Sequence, residues 1–378
     1  GGVETQASTK SPVDCTVDYL ELLVEVGQQA GLDAVGVAGA EPFTGVRSEL
    51  ERRRNAGLHG GMQFTYRNPE RSTTPTRILS SARSLVVGAL RTAAPRLSEV
   101  TTGRLRIAAY ARHDYYATLR EALGRVAGRL EADGWQARVV ADDNALVDRA
   151  AAVRAGIGWY GKNANILIPG RGSWFVLGSV VTDAPLPEGQ PMADGCGSCQ
   201  RCLDSCPTGA IVAPGVVDAR RCLAWLVQAP GAIPVEFRES IGGRLYGCDD
   251  CQEVCPVGRS ERDGEDFGTP AADREASEIL SASDEELLED FGAWYIADRD
   301  PRYLRRNALV AMANLAPIGD GQAAALVGHY LSDPDPLLRA HAVWAAARIG
   351  RSDLLGEAGD EPDPAVREEI ERVVGRGS

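Results

Sequence analysis

Helical and extended patterns alternate along the first half of the chain. Apolar residues recur at helical spacing in three stretches, at about 16–31, 42–54 and 114–132. Short apolar runs of the kind that form buried strands are Ala34–Ala38, Ser84–Leu90, Ala137–Ala141 and Trp174–Val181. This alternation predicts an α/β or α+β domain with one principal sheet, which we assign to residues 1–185.

The pattern changes after this domain. Residues 186–262 are rich in Cys, Gly, Pro and Asp and have little periodicity, so bound metal would have to supply the stability that a small core cannot. Residues 263–300 are predicted to be an acidic connecting segment. Residues 301–378 are helical again, and two similar segments, Leu304–Leu315 and Leu338–Ile349, are offset by 34 residues. HEAT-like helical repeats are the natural interpretation, with a plain helical cap as the alternative.

The length of 378 residues allows two or three domains. The net charge of −13 is uneven, because residues 261–300 contain fourteen acids and three arginines, a net of −11, and the remaining 338 residues carry only −2. Charge therefore does not exclude a nucleic-acid partner. No apolar stretch is long enough to span a membrane, and residues 1–14 contain no apolar signal core. We expect a cytoplasmic protein.

The cysteine spacing is the most specific chemical feature. Eight of the nine cysteines lie between residues 196 and 255. They are arranged as Cys196-x2-Cys199-x2-Cys202-x3-Cys206-Pro207, then Cys222 alone, then Cys248-x2-Cys251-x3-Cys255-Pro256. The first run has the spacing with which bacterial ferredoxins hold [4Fe–4S] clusters, and in two-cluster proteins the fourth cysteine binds the other cluster.

Ferredoxin spacing divides these cysteines into two complete sets. One predicted set is Cys196, Cys199, Cys202 and Cys255. The other is Cys206, Cys222, Cys248 and Cys251, in which Cys222 replaces the ferredoxin cysteine whose position is taken by Leu245. Zinc sites and disulfides are the alternatives, but interleaved runs that each end in Cys-Pro favour clusters.

The glycines Gly156-x-Gly158-x-x-Gly161 match the dinucleotide fingerprint literally. That fingerprint needs a strand before it and a helix after it, whereas the pattern here predicts a helix before it and a β-like segment after it. Nicotinamide dinucleotide binding is therefore not expected. The glycines either let the backbone approach another bulky cofactor closely or serve only tight turns.

Asp142 is a candidate proton donor. It ends a predicted strand and precedes a helix expected to begin near Asn144. An acid in an apolar cofactor pocket would have its pKa raised by desolvation. The alternative is that Asp142 is only a helix N-cap, although Asp143 could take that role.

Three segments give the chain its resemblance to a known family. Ala155–Asn163, Gly172–Gly178 and Tyr246–Pro256, together with the cysteine sets, resemble the epoxyqueuosine reductases. Members of that family use cobalamin and two [4Fe–4S] clusters to complete queuosine on tRNA. The cysteine blocks are shared in part with reductive dehalogenases, whereas the glycine block and the helical tail favour the tRNA enzymes.

The resemblance implies an α+β multidomain protein with an α/β cobalamin-binding domain, a ferredoxin-like two-cluster domain and HEAT-like repeats. It places Asp142 on the family's catalytic acid. The resemblance also implies that cobalamin is contacted by Asp142 and by residues in the stretches that line it, which are Arg71, Lys162, Asn163, Asn165 and Ser173. Two departures from the family pattern are Asp148, which replaces a glutamate, and Tyr116, which replaces a histidine.

The resemblance also implies partners. The substrate would be tRNA bearing epoxyqueuosine, and Arg305, Arg306 and Arg339 are candidates for phosphate contacts. Electrons would come from a low-potential donor such as ferredoxin or flavodoxin, and we expect a monomer. Two other functions stay open at this point: a reductase of a small molecule related to the dehalogenases, and a two-cluster electron-transfer protein.

Overall fold

The computed structural model describes residues 12–92, 104–258, 274–356 and 360–375. The strands, in chain order, are β1 (Ala34–Gly39), β2 (Ser84–Arg91), β3 (Arg104–Ile107), β4 (Ala137–Ala141), β5 (Trp159–Tyr160), β6 (Ile166–Leu167), β7 (Phe175–Thr182), β8 (Ile211–Ala213), β9 (Val216–Val217), β10 (Arg244–Tyr246) and β11 (Arg274–Glu275). The strands expected from the apolar runs are confirmed as β1, β2, β4 and β7.

The helices of the first 260 residues are α1 (Val17–Gln29), α2 (Thr44–Asn55), α3 (Phe64–Arg67), α4 (Pro69–Ser72), α5 (Tyr115–Ala132), α6 (Asp148–Arg154), α7 (Arg201–Asp204), α8 (Leu223–Leu226), α9 (Val235–Ile241) and α10 (Asp250–Glu253). Those that follow are α11 (Ala276–Ser281), α12 (Asp284–Phe291), α13 (Arg302–Leu315), α14 (Gly321–Tyr330), α15 (Pro336–Arg348) and α16 (Pro364–Gly375). The three helices expected from periodicity are confirmed as α1, α2 and α5.

The chain divides into two compact units that are each discontinuous in sequence. The first comprises residues 1–92, 114–199 and 256–261; the second comprises residues 93–113, 200–255 and 262–378. The four domain ranges assigned from the sequence stay a prediction.

A four-stranded sheet in the order β1-β2-β7-β4 organises the first unit, and every pairing is antiparallel. This arrangement is α+β, so the α/β description of the domain needs that correction. Leu85, Val87 and Ala89 share one face with α6 in a buried cluster. On the other face Gly178 leaves room for Leu123 of α5, because a Cβ there would lie 2.8 Å from the Leu123 Cδ1 atom.

Strand β3 lies at the centre of a small sheet in the second unit. It pairs in parallel with β10 and antiparallel with β11. The described part of the acidic segment, from residue 274 onward, folds as β11, α11 and α12 and contributes Ile279 and Leu287 to the unit's core. The acidic segment is therefore more than a connector, while its residues 263–273 lie outside the described ones.

The same local hydrogen-bond pattern occurs before two helices of the C-terminal region. Arg339 donates to the carbonyls of Asp333 and Pro334 before α15, and Arg367 donates in the same way to the two carbonyls at positions 361 and 362 before α16. Both helices start on the proline of a Pro-Asp-Pro or Asp-Pro sequence. Across the described ranges, none of the helices has the length and hydrophobicity needed to span a membrane.

Candidate functional site

Asp142 lies in a sharp turn directly after β4. Its φ of 53° is in the left-handed region, which costs an aspartate about 1 kcal/mol or more. The next residue, Asp143, accepts a hydrogen bond from the backbone N–H of Ala145 at 2.8 Å. The helix expected near Asn144 begins only at Asp148, because this side-chain turn competes with helical hydrogen bonding. Asp142 is therefore not a helix N-cap.

The segment that follows Asp142 is held in place by two side chains of helix α4. The Arg71 guanidinium donates to the Asn144 side-chain oxygen at 2.9 Å, and the Ser72 hydroxyl donates to the Asn144 carbonyl at 2.5 Å. Arg71, predicted to line cobalamin, thus lies beside the acid loop and supports it.

In the described ranges, five ionisable side chains lie within electrostatic reach of Asp142. Partial burial, together with the charges of Asp114 and Asp143, raises the pKa of Asp142, and Arg120 opposes this effect. Burial and then the charge of Asp142 raise the pKa of Asp148 well above its usual value. The Asp148 Oδ1 atom is inaccessible to solvent and has no hydrogen-bond partner among the described residues.

Tyr116 completes this group. Burial, and then the charges of Asp142 and Asp148, raise the pKa of its phenol. Both departures from the family pattern, Tyr116 and Asp148, thus lie within electrostatic reach of the same acid. The arrangement favours protonated carboxyls and a protonated phenol, which can donate protons to a bound group.

The glycine block is explained by the chain itself. Helix α6 precedes it and the β5–β6 hairpin follows it, so the strand–turn–helix context of a dinucleotide site is absent here. A Cβ on Gly156 would lie 2.4 Å from the Gln190 carbonyl oxygen, and one on Gly158 would lie 2.4 Å from that of Leu167. Close backbone packing within the protein therefore requires both glycines.

The other predicted cofactor-lining residues gather around the hairpin. Asn163 and Ser173 are buried, and the Asn163 side-chain oxygen accepts from the backbone N–H of Asn165. Lys162 instead donates through Nζ to the carbonyls of Gly197 and Cys199, at 2.7 and 2.9 Å. A cobalamin contact by Lys162 stays a prediction, whereas its link to the cluster-binding loop is a contact that sequence reasoning missed.

Within the first unit, the Trp159 indole N–H donates to the Cys196 sulfur at 3.5 Å. Within the second, Cys251 has a pKa raised well above the usual value, first by burial and then by the nearby thiols of Cys248, Cys222 and Cys202. Such crowded thiolates need a compensating cation, which iron supplies. None of the nine cysteines, all within described residues, forms a disulfide.

Backbone donors also surround Cys206. Burial disfavours its thiolate, but the N–H groups of Thr208 and Ala210 lower the pKa of the thiol below its usual value. The Ala210 N–H lies 3.2 Å from the Cys206 sulfur. Hydrogen bonds of this kind set the potentials of iron–sulfur clusters.

The three arginines expected to contact phosphate lie in different environments. Arg306 is fully buried, so its prediction as a phosphate contact is wrong: no solvent-borne ligand can reach it. Arg305 pairs with Asp284 at 2.5 Å and Arg339 pairs with Glu361 at 2.8 Å, and each side chain keeps 14% exposure. Phosphate contacts by these two stay a prediction.

Comparison with known proteins agrees with this arrangement. A 4Fe-4S double cluster binding domain matches residues 195–258, and HEAT repeats match residues 289–375. The epoxyqueuosine reductase of Bacillus anthracis is 34% identical over 382 residues, which cover 94% of this chain and 97% of that protein. The chain belongs to the epoxyqueuosine reductase family. The two [4Fe–4S] clusters and the HEAT-like tail are thereby confirmed, and the zinc and disulfide alternatives are excluded.

Solved structures of epoxyqueuosine reductases share the fold. One that contains a tRNA-Tyr epoxyqueuosine-modified stem loop has a TM-score of 0.84 and 34% identity, and covers 95% of this chain and 98% of that one. Another, from Bacillus subtilis, has an aspartate-bearing catalytic loop swung out of the active site, with a TM-score of 0.83, 33% identity and coverage of 95% and 98%.

Proposed function

We propose that this chain reduces epoxyqueuosine to queuosine in tRNA, with cobalamin and two [4Fe–4S] clusters. The observation that carries the proposal is Asp142, a partly exposed acid of raised pKa on a strained turn, in a chain whose full-length relatives are epoxyqueuosine reductases. The relative whose catalytic aspartate loop swings out of its site supports the same role for the Asp142 turn.

The reaction removes one oxygen from an epoxide and leaves an alkene. It consumes two electrons and two protons and releases the oxygen as water. Asp142 donates a proton to the departing oxygen, because a protonated oxygen is a better leaving group. Its raised pKa keeps the carboxyl protonated to a higher pH than an ordinary aspartate.

The side chains present fit both the iron–sulfur clusters and cobalamin. The eight cysteines of residues 196–255 have the type and number of ligands that two [4Fe–4S] clusters need. The buried polar residues Asn163 and Ser173 are suited to the amides of cobalamin. So is the Asp148 Oδ1 atom, which has no hydrogen-bond partner among the described residues and belongs to a side chain that interacts with Asp142. Arg71, Lys162 and Asn165 are the other residues that would hold cobalamin. When bound, cobalamin supplies low-valent cobalt for the reductive step.

The partners follow from this reaction. The clusters accept single electrons from a low-potential donor such as ferredoxin or flavodoxin, and the chain acts as a monomer in the cytoplasm, where its tRNA substrate is found. The accessible parts of Arg305 and Arg339 contact tRNA phosphates, which makes binding salt-dependent.

One experiment tests the proposal directly. Anaerobically reconstituted protein is incubated with epoxyqueuosine tRNA and a low-potential reductant, with and without cobalamin, and the nucleoside is analysed by mass. We expect the loss of one oxygen only when cobalamin is present. Turnover without cobalamin would refute its role, and no oxygen loss in the complete mixture would refute the reaction.

A further inference from the structure

The Arg306 guanidinium is buried among backbone carbonyls in the second unit. One terminal nitrogen donates to the carbonyls of Ala229 (2.8 Å) and Gly231. The other donates to the carbonyls of Leu226 (3.2 Å) and Val227 (3.3 Å). Within the part of the chain that the structure describes, no carboxylate pairs with it, and burial lowers its pKa to about 9. Besides these carbonyls, the guanidinium contacts only neutral groups among the described residues, the Asn307 side-chain oxygen and the Tyr303 ring, whose centre is 5.1 Å away. A buried cation held by neutral groups is costly, so a physical reason for its presence is needed.

Asn307 extends the same network to a second segment. Its side-chain nitrogen donates to the Val227 carbonyl at 2.7 Å and to the Leu245 carbonyl at 3.0 Å. Its oxygen accepts from the Arg306 guanidinium at 2.9 Å. Two consecutive residues of α13 therefore tie the segment 226–231 to strand β10. Both of these side chains are buried, as are Leu226, Val227 and Leu245.

Both tied segments lead directly to cysteines of the second cluster. Cys222 caps α8, and its carbonyl accepts from the Leu226 N–H at 2.9 Å, so the Leu226 carbonyl that Arg306 binds is about one helical turn, roughly 5 Å, farther along. Leu245 precedes Cys248 by three residues. Cys222 is also the cysteine that departs from the ferredoxin arrangement, so no ferredoxin-type loop fixes its position.

We propose that Arg306 and Asn307 are positioning residues of the second [4Fe–4S] cluster, through which the first HEAT-like helix fixes Cys222 and Cys248. The charge of Arg306 also favours the reduced cluster, because a cluster gains negative charge on reduction and charges interact strongly in a buried setting. This inference goes beyond the proposed function. It requires the clusters but neither cobalamin nor tRNA.

The test compares full-length Arg306→Met, Arg306→Lys and Asn307→Ala proteins after anaerobic reconstitution. Iron content and the reduction potential of each cluster are measured by redox titration followed by electron paramagnetic resonance. Arg306→Met should lose about four irons per chain or shift one of the two potentials to a more negative value. Arg306→Lys, which keeps the charge, should shift it less. Asn307→Ala should release iron from one cluster faster on chelation.

Arg305→Met is the matched control, since Arg305 is the preceding residue of α13 and pairs with Asp284 instead of the cluster-bearing segments. It should retain both clusters and both potentials. Should Arg306→Met fail to fold, the other two variants decide. The proposal is overturned when folded Arg306→Lys and Asn307→Ala both match the unsubstituted protein in iron content, chelation rate and both potentials. Because no turnover is measured, these outcomes are independent of the reaction assigned above.

Discussion

Burial, and then the negative charge of Asp142, raise the pKa of Asp148 well above the usual value of an aspartate. The folded chain therefore keeps a proton that the unfolded chain releases near pH 4. The stabilisation from the protonated carboxyl is complete below that pH and is lost as the pH rises towards the folded pKa.

Replacement of this carboxyl should remove that pH dependence. We expect Asp148→Asn to have a higher Tm than the unsubstituted protein at pH 8 and an equal one near pH 4, with the difference in unfolding free energy growing by up to about 1.4 kcal/mol per pH unit in between. Anaerobic calorimetry of cluster-loaded protein measures this. A difference that stays constant from pH 4 to pH 8 would contradict the raised pKa.

Asp142 should control the pH dependence of turnover. We expect Asp142→Asn to reduce the single-turnover rate of oxygen loss by about 10²–10⁴-fold, the usual contribution of a positioned acid. The rate of the unsubstituted protein should fall as the pH rises through the raised pKa of Asp142, since only the protonated form donates.

Asp143→Asn is the matched control for that substitution. Asp143 is adjacent in sequence, but its side chain accepts the Ala145 N–H, which an asparagine oxygen can also do. We expect less than a tenfold loss. Equal rates for the Asp142→Asn and unsubstituted proteins would remove Asp142 from the reaction.

Cys222 should be essential for one cluster and dispensable for the other. We expect Cys222→Ser to lose the paramagnetic signal of the second cluster and about half of the iron, while the first cluster persists. Cys15→Ser, which changes the cysteine outside both sets, should retain both. Two intact clusters in Cys222→Ser protein would show that another residue completes the set.

His341 should make stability sensitive to mild acid. Its Nδ1 contacts the Leu337 carbonyl and its Nε2 accepts from the Ile233 N–H, so both nitrogens are engaged in the buried neutral ring. Burial, and then the charges of Arg238 and Arg306, lower its pKa well below the usual value. The resulting stability is present above pH 6.5 and decreases by about 2 kcal/mol between pH 6.5 and 5.

His341→Gln tests this account. It should destabilise the protein by about 1–3 kcal/mol at pH 7.5, because one buried hydrogen bond is lost, and it should flatten the decline below pH 6.5. His329→Gln, at an exposed position, should change neither. Identical acid profiles for His341→Gln and the unsubstituted protein would assign the decline to other groups.

The sequence predicted what depends on local pattern and spacing. Apolar runs placed β4 and therefore Asp142, and cysteine spacing placed the clusters. The start of α6 was misplaced because the side chain of Asp143 closes a turn that periodicity does not register.

Contacts between distant segments could not be predicted in this way. Arg306 looks like any surface arginine on a helix, and its burial depends on carbonyls 75 to 80 residues earlier in the chain. The Lys162 contact with the Gly197 carbonyl joins two loops that have no periodicity. Hydrogen bonds from Lys162 and Arg306 to several backbone carbonyls cannot be recognised from the hydrophobic pattern or the charge of the sequence.

Strand β3 has a consequence for the order in which the protein matures. It is made more than a hundred residues before β10, with which it pairs, and the Ala109 N–H just after it binds the Asp249 carboxylate between two cysteines of the second cluster. Helix α13, whose Asn307 binds the Leu245 carbonyl, leaves the ribosome later still. The segments that surround the second cluster thus come from parts of the chain that are synthesised early, midway and late. We therefore expect the second cluster to be held stably only after α13 has been synthesised and has packed.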